Sequence, residues 1–112
     1  MLFSFWRTLA LVIKSYADKL AEKILKGEKL SRKEVKALGD LDLDKAQQRL
    51  AIFDQSTEKD LLTAQALHYH KLKGSSFYSI DADSRKSRWR IVFAWADETL
   101  TDVSLVQIGD TH

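Results

Sequence analysis

The spacing of apolar residues changes once along this chain, from a period near 3.6 to a period near 2, shortly after Leu62. The first period places one apolar stripe along a helix, and the second places alternate side chains on one face of a strand. Helices followed by a run of short strands indicate an α+β fold. We therefore expect two to three amino-terminal helices, packed on one face of a mainly antiparallel, twisted sheet of four to five strands.

The first long helix is predicted over residues 17–25, where apolar residues recur at helical spacing. Gly27 follows it in the position that favours a left-handed C-cap. Ser31 and Glu34 then form the pattern of a capping box, which predicts a short second helix through Leu38.

A second long helix is predicted to begin after an aspartate cap at position 42 or 44. Its buried side chains are expected to be Ala46, Leu50 and Phe53, with support from Ala51. A cap at Ser56 or Thr57 predicts one further turn, through Leu61 and Leu62.

Strand-like alternation occurs in residues 12–16, 67–72, 77–82, 87–96 and 101–108. The fourth of these segments divides its side chains most clearly. One face carries Trp89, Ile91, Phe93 and Trp95, and the other carries Arg88, Arg90, Val92 and Ala94. We expect the aromatic face to pack against the helices as core and the other face to carry its cations into solvent.

At 112 residues, of which 45% are hydrophobic, the chain is long enough for one modest core. It has no cysteine, which excludes disulfides, thiolate zinc sites and a cysteine nucleophile, and which fits a reducing cytosol. The net charge is only +2. Between positions 68 and 90, however, two acids are outnumbered by six cations, Lys71, Lys73, Arg85, Lys86, Arg88 and Arg90.

Residues 1–11, MLFSFWRTLAL, are apolar but too short to span a bilayer. We interpret them as an apolar extension ahead of a single domain over residues 12–112, with no membrane partner. The triplet Ser15-Tyr16-Ala17 resembles a cleavage site, which leaves secretion as an alternative.

Five short blocks occur in the order VIKSY (12–16), LHYHKLKG (67–74), YSI (78–80), WRIVF (89–93) and DVSLV (102–106). In order and spacing they resemble blocks of the HigB-like toxins of the RelE/ParE toxin–antitoxin superfamily. The resemblance covers most of residues 12–112. It implies a RelE-like fold and a cytoplasmic, ribosome-dependent, metal-independent endoribonuclease that cleaves translated mRNA and inhibits growth. It also implies a cognate antitoxin, the ribosome and mRNA as partners, and no small-molecule cofactor.

Metal-free RNA cleavage needs a base for the 2′-OH, a cation for the phosphate and an acid for the departing 5′-oxygen. The resemblance aligns His70 with the histidine before the L-K-G block and Arg90 with the arginine of W-R-I. It therefore implies that His70 is the acid or base and that Arg90 stabilises the phosphate.

Near the carboxyl-terminal end, Asp110 and His112 keep two of three residues with which the family closes, whereas Thr111 replaces an aromatic residue. The resemblance makes both further catalytic candidates. We expect the RNA backbone to be bound by the cations Lys71, Lys73, Arg85, Lys86 and Arg88, of which Lys73 lies in the L-K-G turn. No metal ligands are predicted.

Other interpretations remain open at this point. His68 and His70 fit cross-strand surface residues as well as catalysis, and Arg88 and Arg90 fit the solvated face of a half-buried strand. The superfamily also includes ParE-like toxins that act on gyrase. A toxin-fold protein that has lost catalysis and binds RNA or protein is a further possibility, and so is a non-toxin α+β domain that binds RNA or DNA through its basic sheet. An adaptor that binds protein through the apolar arm is another.

Overall fold

The computed structural model describes residues 12–97, 100 and 102–110, so the predicted extension 1–11 and His112 lie outside it. Within the described residues, four α-helices precede an antiparallel sheet, which establishes an α+β fold. The helices are α1 (Lys19–Lys26), α2 (Arg32–Leu38), α3 (Leu43–Phe53) and α4 (Glu58–Thr63), and a 3₁₀ turn (Gln65–Leu67) follows. The strands are β1 (His70–Lys71), β2 (Tyr78–Asp81), β3 (Trp89–Trp95) and β4 (Val103–Asp110).

The helix ends follow local sequence. Gly27 ends α1 with a φ of 69°, the left-handed conformation expected of this cap. The predicted capping box is present, because the Ser31 hydroxyl accepts from the Glu34 amide while the Glu34 carboxylate accepts from the Ser31 amide. Asp42, the earlier of the two predicted caps, begins α3 by accepting a hydrogen bond from a backbone amide.

One prediction for α3 is wrong. Leu50 is fully buried as expected, but Ala51 is exposed and gives the core no support. A step of one residue turns a helix by about 100°, which carries Ala51 off the buried stripe. The extra turn predicted beyond this helix is a separate helix, α4, and it buries Leu61 while Leu62 stays exposed.

The four strands form a meander in which each pairs with the next along the chain, in the order β1-β2-β3-β4. Residues 67–72, predicted as one strand, form only the two-residue β1. The reason lies just before it, where a 3₁₀ turn buries Leu67 and His68 then takes a left-handed conformation, with a φ of 53°. Leu67 is buried in the core at this turn.

The predicted strand 12–16 does not join the sheet as a regular strand. It makes two isolated parallel bridges to β4, Ile13 with Val103 and Tyr16 with Val106. The segment also contacts Asp54, whose carboxylate accepts a hydrogen bond from the Ile13 amide at 2.9 Å. Burial and the Asp54 charge raise the pKa of Tyr16 to about 12, so its hydroxyl stays protonated at neutral pH.

A bulge in β4 sets which side chains reach the core. Phe93 of β3 lies opposite two residues of β4, Leu105 and Val106. Leu105 has a φ of 56° and is 44% exposed, and its amide donates to the Ser15 hydroxyl. Because the bulge adds one residue, Val103 and Val106 are both fully buried although three positions separate them.

The hydrophobic core lies between one face of the sheet and the helices, with Phe53 of α3 and Phe93 of β3 at a ring-centroid distance of 4.5 Å. The predicted aromatic stripe is confirmed as core, since Trp89 and Ile91 are buried with Phe93 and Trp95 is half-buried. Fully buried members of the cluster include Ala21, Ala46, Leu50, Phe53, Ile80, Ala82, Ile91, Phe93, Val103 and Val106.

The expectation for the opposite face of β3 is wrong in part. Arg88 is half exposed, but Arg90 is only 8% exposed and Val92 is 7% exposed. Arg90 is buried because the loop 82–88 folds back over it and presents backbone carbonyls to its guanidinium. No helix in the described part of the chain is long and apolar enough to cross a membrane.

Candidate functional site

The sheet face opposite the aromatic core carries a row of polar side chains. In the strand register His70 of β1 is opposite Ser79 of β2, and Asp81 of β2 is opposite Arg90 of β3. Directly paired residues share a face, and so do residues two apart on one strand. These four side chains therefore lie on one surface, which we call the polar face.

The two histidines of the candidate site are in contact, with ring centroids 4.7 Å apart. His70 Nδ1 is 2.9 Å from the His68 carbonyl oxygen, and because a carbonyl only accepts, Nδ1 is the donor. His70 Nε2 then faces the Ser79 hydroxyl at 3.4 Å. The His70 ring is thus held in one orientation, and the nitrogen left for proton exchange is Nε2.

His68 has a different electrostatic environment. Burial lowers the pKa of His68 below its ordinary value, and the positive charge of Arg85 lowers it further, against the opposing effect of the Asp81 carboxylate. A lowered pKa favours the neutral imidazole at neutral pH. Neutral imidazole is the form that accepts a proton, so His68 suits a base.

Arg90 was predicted to stabilise the phosphate, but its guanidinium makes hydrogen bonds within the protein. Its Nη1 donates to the carbonyls of Ser87 and Trp89, and its Nη2 donates to the carbonyl of Arg85 at 3.5 Å. Its Nε is 3.4 Å from an oxygen of Asp81. In this arrangement Arg90 fixes the loop 82–88, and the exposed cation of that loop next to the histidines is Arg85.

Asp81 was not predicted as a site residue, because its neighbours Ala82, Asp83 and Ser84 suggested a turn. Its side chain is fully buried, and neither carboxylate oxygen accepts a hydrogen bond. The alternation of side chains along β2 could have identified Asp81 as a site residue. Asp81 follows Ser79 by two residues on the same strand, so both side chains lie on the face that also carries His70.

The remaining predicted cations are spread around this face. Lys71, Lys73, Arg85 and Lys86 are exposed, with Lys71 on the histidine strand and Arg85 and Lys86 in the loop 82–88. Arg88 pairs with Asp40 at 3.5 Å, and its guanidinium lies 5.1 Å from the centre of the Trp89 ring. Arg88 therefore already has partners within the fold.

Beside His68 the surface opens into a cleft of about 340 Å³. It is lined by Leu61, Leu62, Ala64, Gln65, His68, Tyr69 and Arg85. The Tyr69 hydroxyl donates to Glu58 at 2.7 Å, and burial raises the pKa of that hydroxyl well above its usual range. The cleft thus brings an imidazole and a guanidinium together at a mainly polar surface.

Of the two carboxyl-terminal candidates, only the backbone of Asp110 lies within the described residues. The backbone of Asp110 pairs with Trp89 at the end of β4, next to the pairing of Gly109 with Arg90, and His112 lies outside the described residues. Over residues 12–97, 100 and 102–110, no three metal-ligating side chains lie close enough to hold an ion.

Neither the protein-family models, nor the curated proteins, nor the solved structures that were compared with this chain give a match. The fold and the candidate site are therefore characterised by geometry alone. They consist of a helical layer, a four-stranded meander, and a polar sheet face with paired histidines beside buried and exposed arginines.

Proposed function

We propose that this chain is a toxin of a type II toxin–antitoxin system, a metal-independent endoribonuclease that cleaves translated mRNA on the ribosome. The observation that carries the proposal is the contact between His68 and His70, 4.7 Å apart, beside the exposed Arg85. Two imidazoles and a guanidinium supply the base, the acid and the cation that cleavage of a phosphodiester by its own 2′-OH requires. The RelE-like topology, the cytosolic location, the absence of a cofactor and the cognate antitoxin belong to the same proposal.

The roles of the two arginines differ in this proposal. Arg85 contacts the phosphate, because its side chain is exposed beside His68. Arg90 acts indirectly, because its hydrogen bonds hold the backbone of Arg85 and of the rest of the loop 82–88 in place. The exposed Lys71, Lys73 and Lys86 extend the positive surface along the RNA backbone, where each contact adds affinity without sequence preference.

One observation favours a second candidate, a toxin-fold module that binds RNA or protein without cleaving RNA, or a ParE-like inhibitor of gyrase. The Arg90 guanidinium, which the resemblance assigns to the transition state, is occupied by backbone carbonyls and Asp81. In this second candidate no cation contacts the phosphate beside the histidines, so the module binds RNA but does not cleave it.

The test is induced expression of the full chain, followed by growth measurement and primer extension on cellular mRNA. The variants are the wild type, His70→Gln and, as a matched control off the polar face, Lys36→Gln on the exposed side of α2. The proposal expects growth arrest with new mRNA ends for the wild type and the control, and neither for His70→Gln.

Arrest without new mRNA ends would support a gyrase-type target in place of RNA cleavage. Binding of the purified chain to RNA without arrest or cleavage would support the module that binds only. Cleavage that persists in His70→Gln would remove His70 from the chemistry.

A further inference from the structure

The carboxylate of Asp81 is the least satisfied polar group in the described part of the chain. It is fully buried, and its two oxygens are the buried side-chain atoms there that have no hydrogen-bond partner. Burying a carboxylate costs free energy unless hydrogen bonds or a cation compensate for the lost water. A fold that keeps such a group needs a partner for it in some state of the protein.

Arg90 meets this need only in part. Its Nε lies 3.4 Å from Asp81 Oδ1, which makes an ion pair without a well-formed hydrogen bond. Its terminal nitrogens instead donate to the carbonyls of Ser87, Trp89 and Arg85. The carboxylate therefore keeps its capacity to accept a hydrogen bond from another donor.

The strand register identifies His68 as a candidate donor. His70 is opposite Ser79, and continuing this antiparallel register by two residues would bring position 68 beside position 81. His68 leaves the strand path there with a left-handed backbone and packs its ring against His70. The charged or titratable groups that act on His68 are Arg85, Asp81, His70 and Arg90.

We propose that Asp81 is a positioning residue for His68, and that His68 is the catalytic base which takes the 2′-OH proton. The assignment rests on the proposed ribonuclease function and deepens it. His70 is excluded as the carboxylate-assisted base because its Nδ1 is bonded to the His68 carbonyl and its Nε2 faces Ser79. His68 instead lines the cleft together with Arg85, where a phosphate has room.

The proton balance of the step is complete without any further reactant. A neutral His68 nitrogen removes the 2′-OH proton, the 2′-oxygen forms a bond to phosphorus, and the bond from phosphorus to the 5′-oxygen breaks. The departing 5′-oxygen takes its proton from protonated His70. The cyclic phosphate leaves, with His68 now cationic and hydrogen-bonded to the Asp81 carboxylate, which stabilises that charge.

The pairing can be tested without RNA, by NMR titration of the histidine rings in the full chain. In Asp81→Asn the pKa of His68 should fall further than that of His70, because the carboxylate that favours the cationic His68 is gone. His68→Gln assigns the resonance. Equal shifts of the two histidines, or a larger shift of His70, would overturn the pairing.

A second NMR measurement covers the case in which Asp81→Asn does not fold. In the wild type the ¹³C shift of the Asp81 carboxyl should move as His68 titrates, and this step should disappear in His68→Gln. A step that persists in His68→Gln would show that the carboxylate responds to another group.

The kinetic test measures single-turnover cleavage of mRNA on programmed ribosomes. His68→Gln should slow the step by about 100-fold or more, the usual contribution of a general base. Asp81→Asn should slow it by about 10-fold to 100-fold, as loss of a partner that orients a catalytic group does, with KM nearly unchanged. Because neutral His68 is the active form, the acid limb of the pH profile should move to lower pH in Asp81→Asn.

The two experiments separate the two proposals. If the wild type cleaves and His68→Gln cleaves equally fast, the role of His68 is refuted while the ribonuclease function stands. If the wild type does not cleave but the His68 titration depends on Asp81, the ribonuclease function is refuted while the pairing stands.

Discussion

The two faces of the sheet are built from the same strands and are buried to a similar extent, yet they are stabilised by different interactions. On the helix side Ile80, Ile91 and Phe93 are fully buried among apolar side chains. On the polar face Asp81 is equally inaccessible, and Arg90 is 8% exposed. The first face gains free energy from dispersion and the hydrophobic effect, whereas the second removes charges from water and compensates them incompletely.

Depth of burial therefore does not by itself indicate whether a face of the sheet takes part in binding. The side chains of the apolar face already pack against other apolar side chains, so this face offers no group to a ligand. The polar face keeps a carboxylate without hydrogen bonds beside a contacting histidine pair, so it retains unused capacity for interaction. Four experiments test this difference between the two faces.

The largest effect is expected on the apolar face. Phe93→Ala removes a ring that lies 4.5 Å from Phe53 and is fully buried, which should lower the free energy of unfolding by about 4 kcal/mol. Urea unfolding followed by circular dichroism measures it. Leu62→Ala, at a position 62% exposed, is the control and should change stability by less than about 0.5 kcal/mol. Equal losses in the two variants would contradict the assignment of the core.

On the polar face, Arg90→Met should cost about 3 kcal/mol, because it leaves Asp81 buried without its cation. The double variant Arg90→Met with Asp81→Leu should regain most of this loss, since replacing both charges removes the unpaired one. A double-mutant cycle from urea unfolding gives the coupling. A double variant as unstable as Arg90→Met alone would mean that the loop contacts, not the charge, dominate.

A smaller effect is expected on RNA binding. Arg85→Gln should weaken single-stranded RNA binding and reduce the slope of log affinity against log salt by about 0.7, the value for one lost phosphate contact. Arg88→Gln is the matched control and should change the slope less, because Arg88 already pairs with Asp40 and lies over Trp89. The comparison fails if the two arginines contribute equally in fluorescence titrations at several salt concentrations.

The smallest effect concerns pH. Burial and Arg85 lower the pKa of His68, so the unfolded chain binds more protons than the folded one as pH falls below about 6.5. The stability held above that pH is lost as pH falls through the lowered pKa of folded His68. His68→Gln should flatten this decline in urea unfolding between pH 7.5 and 5.5. An unchanged slope in His68→Gln would contradict the environment assigned to this residue.

The sequence was sufficient where structure depends on near neighbours. Gly27, the Ser31 and Glu34 box and the Asp42 cap were predictable because each acts within one helical turn. The meander and the aromatic stripe were predictable because alternation is a property of the strand itself. The RelE-like topology and the function stay predictions.

What the sequence missed depends on segments that meet only in the folded chain. Arg90 was expected in solvent, and nothing in its own strand indicates that the loop 82–88 folds over it. Asp81 looked like a turn residue because aspartate is common in turns. The bulge at Leu105 had a local signal, since Val103 and Val106 differ in parity and only an extra residue lets both reach one core.

The hydrogen bond between Ser15 and Leu105 joins residues that are 90 positions apart, within the parallel bridges of segment 12–16 to β4. Closing so long a loop is entropically costly, and sheets that depend on such distant contacts complete slowly. During synthesis of the polypeptide, segment 12–16 cannot form its bridges until β4 has been made. The contacts of segment 12–16 with β4 therefore form late, after the helices and the first three strands have been synthesised.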